Sequence, residues 1–138
     1  MLEAGESTLN INDLLGVPFD SNGKDPKVSL NCWGLVMEVM RRHGHIVPDY
    51  NIPAELTAQI MLAYTEDKNQ WQREPGPAEG IVVALAIDPH MPGYVQHFGV
   101  CLGKSLFIHT LEKTNVIVTK FEHRYFAPKI KGFHRWIA

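Results

Sequence analysis

The sequence predicts an α+β domain in which N-terminal helices pack on a five-stranded antiparallel sheet. Helical spacing is confined to the first half of the chain, and short runs of β-branched and aromatic residues fill the second. A turn-rich connector, Arg73-Glu-Pro-Gly-Pro-Ala-Glu-Gly80, separates the two. Helices followed by strands, not alternating with them, exclude a doubly wound fold. A single domain over residues 1–138 is expected, helical over about 8–70 and sheet over about 80–137, because 45% hydrophobic content suffices for one core.

Each element has its own signal. From Asn31 to His43, apolar residues at 32, 35, 36, 39 and 40 make one helix face, with Gly44 as the C-terminal cap. Ala54 to about Asn69 is a second helical segment. Strands are expected at Ile81 to Ile87, Gln96 to Leu102, Leu106 to Leu111, Val116 to Lys120 and Ile130 to Ile137.

Composition removes several function classes. With 13 Lys+Arg against 15 Asp+Glu, the net charge of −2 gives no basic footprint for nucleic acid. The first eight residues carry no Lys, no Arg and no apolar run, so no secretory leader is expected. No stretch reaches the roughly 18 apolar residues that span a bilayer, so no membrane partner is expected either. Two cysteines cannot build a disulfide scaffold; against seven histidines they direct attention to thiol–imidazole chemistry.

Cys32 falls at the start of the first helix with Asn31 as its N-cap, where first-turn N–H groups and the helix dipole favour a thiolate. His97 and His109 lie at equal distances from Gly103. A hairpin centred there would set the two imidazoles opposite each other on one sheet face, with Cβ atoms roughly 4.5–5.5 Å apart. One ring would take the Cys32 proton while the other fixes its tautomer. Cys101, of the same parity, reads as packing. His43, His45, His90, His123 and His134 read as surface or helix-end residues, Trp33, Trp71 and Trp136 as core or groove-lining, and Asp88 and Glu122 as solvated charges. A zinc site on Cys32, His97 and His109 is the weaker reading, because no two of them form a close ligand pair; no metal or other cofactor is expected.

Together these residues resemble the NlpC-type cell-wall cysteine peptidases. The resemblance rests on Leu30-Asn-Cys-Trp-Gly-Leu-Val36, Gly80-Ile-Val-Val-Ala-Leu85, His97-Phe-Gly-Val-Cys-Leu-Gly103 and Phe107-Ile-His109, in order over residues 12–136. Gly16-Val-Pro-Phe19 and Ser21-Asn-Gly-Lys-Asp25 resemble the family's approach to its cysteine. It implies a papain-like core, with Cys32 as nucleophile, His97 as general base and His109 as orienting residue. It also implies peptidoglycan stem peptides as substrate, cut at the γ-D-glutamyl–diamino acid bond without a metal. Asn31, Trp33 and Phe19 would meet substrate; Asn31 stands where the family usually has Asp, and Phe19 near where it often has Tyr. Cys-Trp-Gly-Leu is similar to the subset carried in phage and prophage tails. That implies a protein made in the cytoplasm, assembled with other tail proteins and acting at the wall. Two other readings use the same residues: a tail-assembly or wall-binding module without catalysis, and a thiol amidase or acyltransferase on another substrate.

Overall fold

A computed structural model describes residues 9–54, 56, 59–60, 63–64 and 70–138. Among these, β1 (Lys24–Asp25) and β2 (Ser29–Leu30) form a small antiparallel hairpin, followed by α1 (Cys32–Arg42). Then come β3 (Trp71–Glu74), β4 (Val82–Leu85), β5 (His97–Cys101), β6 (Leu106–Leu111), β7 (Asn115–Lys120) and β8 (Ile130–Trp136). The last six strands make one antiparallel sheet in the order β3-β8-β4-β5-β6-β7.

The α+β architecture is as the sequence predicts, with two corrections. The sheet has six strands, not five: Trp71–Glu74 pairs with β8 at the edge, Trp71 facing Trp136 and Glu74 facing Phe133. It was hidden because an edge strand tolerates charged residues, so Trp-Gln-Arg-Glu carries no apolar alternation. Second, α1 is the helix whose bounds are described. Of the expected segment from Ala54 to about Asn69, Gln59, Ile60, Ala63 and Tyr64 are helical; most of the rest lies outside the described residues.

The helix stripe is as read from the sequence: Cys32, Leu35, Val36, Val39 and Met40 are buried. They pack on Val82, Ala84, Val100 and Ile108 of the sheet. The opposite sheet face has its own cluster, where Ile81, Val83, Leu85, Cys101 and Phe107 meet Phe126. Strands β4 and β5 are therefore buried on both faces, and Cys101, fully buried, is packing as expected. At Gly34 an added Cβ would run into the Gly23 carbonyl. The β1–β2 hairpin thus lies hard against the first turn of α1 and fixes where Cys32 sits.

The β5–β6 register differs from the expected one. Val100 pairs with Ile108 and Cys101 with Phe107, which centres the turn on Lys104. Continuing that register sets His109 across from Gly99, diagonal to His97. The slip leaves parity unchanged, so both imidazoles stay on one face. Gly99 makes the approach possible, since a Cβ there would lie 2.7 Å from the Ile108 carbonyl oxygen and 3.1 Å from His109 Cβ. Gly99→Ala is expected to cost about 1–3 kcal/mol through this overpacking, read from the shift in urea midpoint.

Candidate active site

Asn31 and Cys32 begin α1. The Asn31 side-chain oxygen accepts the Gly34 N–H at 2.6 Å, and its amide donates to the Ser21 carbonyl at 2.9 Å. Asn31 is 2% exposed and is therefore a structural cap with both ends engaged. Cys32 is 6% exposed. Backbone N–H groups of Phe98, Trp33 and Cys32 itself favour its thiolate, as a helix start should, yet burial outweighs them and pushes the thiol up to about 11. The activated thiolate expected from the helix start is thus not the resting state. The dipole acts on a sulfur from which water has been removed, and desolvation is the larger effect.

The two histidines meet. His97 Nε2 and His109 Nδ1 are 2.8 Å apart, and His109 Nε2 lies 2.8 Å from Thr119 Oγ1 on β7. One proton assignment makes this a directed chain: His97 Nε2–H donates to His109 Nδ1, and His109 Nε2–H donates to the Thr119 hydroxyl. His97 Nδ1 is then the unprotonated ring nitrogen. Burial, with the neighbouring His109 ring, holds His97 well below the ordinary imidazole value. Burial, and then the charge of His123, brings His109 down to about 4. Thr119, at the end of the chain, is invisible to a search for Cys/His spacing; only the β6–β7 pairing places it there.

Two cavities meet at Cys32. One is a trough lined by Phe19, Asp20, Ser21, Cys32, His97 and Glu112, among others. Asp88, read as a solvated charge, also lines it, as does Thr110, whose buried hydroxyl has no partner among the described residues. Phe19, which lines the trough, donates its N–H to the Asn115 side chain at 3.1 Å. The other cavity, about 460 Å³, is walled by Trp33, Tyr50, Tyr64, Trp71 and Phe98. Trp33 anchors this wall through its indole N–H to the Pro48 carbonyl at 2.8 Å, with its ring edge-on to Phe98 at 5.2 Å.

His134, read as a surface residue, instead lines this second chamber, 2.9 Å from the Tyr64 hydroxyl. Its strand partners decide this, not its neighbours in sequence. His43 is a helix end as expected, capping α1. No group of three or more His, Cys, Asp or Glu among the described residues is placed to hold a metal ion.

Fold and site together define an α+β domain with a thiol at a helix start and a hydrogen-bonded imidazole pair on the sheet packed against it. The chain belongs to the NlpC/P60 family, whose sequence model matches residues 16–135. Members of that family are in general cysteine peptidases acting on cell-wall peptides. A solved structure described as similar to lipoprotein, NLP/P60 family, from Staphylococcus aureus subsp. aureus Mu50 superposes with a TM-score of 0.63. That match covers 99% of this chain and 45% of the other at 17% identity. The chain is also 30% identical over 111 residues to the carbamoyl phosphate synthase small chain of Staphylococcus haemolyticus (strain JCSC1435). That stretch is 78% of this chain and 29% of that protein, so the chain spans less than a third of this curated relative.

The imidazole pair makes stability acid-sensitive. His109 is neutral in the fold down to about 4 against an ordinary 6.5, so its contribution is complete above 6.5 and is lost as pH falls toward 4. His109→Gln is expected to flatten the acid limb of stability by up to about 1.4 kcal/mol per pH unit in that window, measured by urea unfolding at several pH values. Asn31→Ala should cost about 1 kcal/mol through the lost cap, read from the shift in urea midpoint.

Proposed function

We propose that the protein is a cysteine endopeptidase that hydrolyses the γ-D-glutamyl–diamino acid bond of peptidoglycan stem peptides. The observation that carries it is the hydrogen-bonded run His97–His109–Thr119 beside a trough that Cys32 also lines. In this reading His97 Nδ1 takes the Cys32 proton as sulfur attacks the carbonyl carbon. The resulting oxyanion is stabilised by the backbone N–H groups at the start of α1. His97 then gives the proton to the departing nitrogen, the C–N bond breaks, and an acyl-thioester remains. Water adds to it with His97 as base, releasing the acid and the thiol. His109 holds the ring of His97 in the tautomer this requires, and Thr119 holds His109.

Burial keeps both Cys32 and His97 neutral at rest, so proton transfer accompanies attack and does not precede it. The Cys32-Trp33-Gly34-Leu35 motif supports delivery of this activity to the wall by a phage tail. The buried, neutral thiol is also the observation that favours a second reading, a wall-binding or tail-assembly module that keeps the fold without catalysis.

Purified muropeptides separate the two. New amino termini should accumulate with the intact protein, and Cys32→Ala should abolish them; no turnover, or turnover unaffected by that change, sinks the peptidase. His97→Ala is expected to lower kcat about 10²–10⁴-fold. His109→Ala should lower kcat with KM little changed, as befits a residue that positions another.

A further inference from the structure

We propose that Gln96 is a positioning residue for the departing half of the substrate: its carboxamide ties down the connection between β4 and β5 and so builds the trough wall against which that half lies. The inference rests on the peptidase reading above. The base that carries the thiol proton must return it to the departing nitrogen, so the departing half passes His97 and meets what lines the trough beside it. Ile87, Asp88, Pro89 and Gln96 line the trough together with His97.

The connection, residues 86–96, contains neither helix nor strand to satisfy its backbone. It turns twice, with the Met91 N–H on the Asp88 carbonyl at 3.0 Å and the Tyr94 N–H on the Met91 carbonyl at 3.1 Å. Three further bonds converge on one side chain. Gln96 Oε1 accepts the Ile87 N–H at 2.8 Å and the Asp88 N–H at 3.3 Å, and Gln96 Nε2 donates to the Met91 carbonyl at 3.0 Å. Two N–H donors at one end and a carbonyl at the other admit a single orientation of the amide. Gln96 is 8% exposed and Val95 before it 2%, so water has little access with which to replace these bonds.

The clamp is itself anchored to the sheet that carries the base. The Gln96 N–H donates to the Leu85 carbonyl at 3.1 Å, one residue before His97 pairs with Leu85 at the start of β5. Its carboxamide bonds run to the connection, whereas the His97 ring is held from the other side by His109. Without the carboxamide, the Ile87 and Asp88 N–H groups lose their acceptor and the wall is released, while the imidazole relay keeps its own bonds. The loss therefore falls on substrate binding and not on the chemical step.

Two substrates test this: L-Ala-γ-D-Glu-L-Lys-D-Ala, and L-Ala-γ-D-Glu methylamide, which keeps the scissile amide but has almost no departing half. On the unaltered protein the methylamide is expected to show a KM at least about fivefold higher than the tetrapeptide. Gln96→Met, which keeps volume but removes all three bonds, should raise KM for the tetrapeptide at least about fivefold with kcat within about twofold, and leave KM for the methylamide within about twofold. Gln96→Ala should do the same, and a cooperative urea transition checks that each variant is folded. A loosened site of any other kind would move both substrates together. Equal KM values for the two substrates on the unaltered protein overturn the proposal without recourse to a variant. So does a Gln96→Met effect that is absent, common to both substrates, or confined to kcat. Absence of cleavage by the unaltered protein overturns the peptidase reading instead, and the comparison is then made by calorimetric titration of the tetrapeptide. Weaker binding to Gln96→Met upholds the wall, and equal binding or none overturns it.

Discussion

The packing of α1 against β5 is the constraint on which the rest of this molecule depends. Its apolar stripe, Leu35, Val36, Val39 and Met40, is sealed against Val82, Ala84, Val100 and Ile108, so the helix cannot slide without opening the core. The β1–β2 hairpin closes on its first turn, where Gly34 has room for no side chain against the Gly23 carbonyl. Cys32 is thereby held where backbone groups of β5 reach its sulfur and where it shares a trough with His97. A small domain can position a thiol this way because the positioning is done by core packing, not by loops.

The same packing sets the electrostatics. A thiol placed at a helix start gains from the backbone N–H groups there, but only to the extent that water does not already solvate it. Here water is excluded from both the sulfur and the imidazoles, and each group is held toward its neutral form. A neutral thiol and a neutral imidazole form no standing ion pair at rest. They also tie the acid stability of the fold to the site itself.

Much of the site was legible before any coordinates. Cys32, His97 and His109 follow from helix phasing and strand parity, and parity survives a one-residue error in where the hairpin turns. Asn31 was legible as a cap, and its side chain is engaged at both ends, on Gly34 and on Ser21. Thr119, Asp88 and His134 were not. Each reaches the site through strand pairing or loop closure between distant segments, and none sits in a local pattern that separates it from an ordinary surface residue. The edge strand β3 escaped for a related reason: it is defined by pairing with β8, and its own residues show no strand periodicity.

The sequence by itself determined the class of fold, the phase of α1 and the identity of the thiol and imidazoles, because these depend on periodicities of a few residues. Tertiary structure alone decided that the thiol is buried and neutral, that the imidazole relay ends on Thr119, and that two cavities of different character meet at Cys32. Those properties depend on how much water is excluded and on which distant side chains share a wall, and neither quantity is written in local spacing.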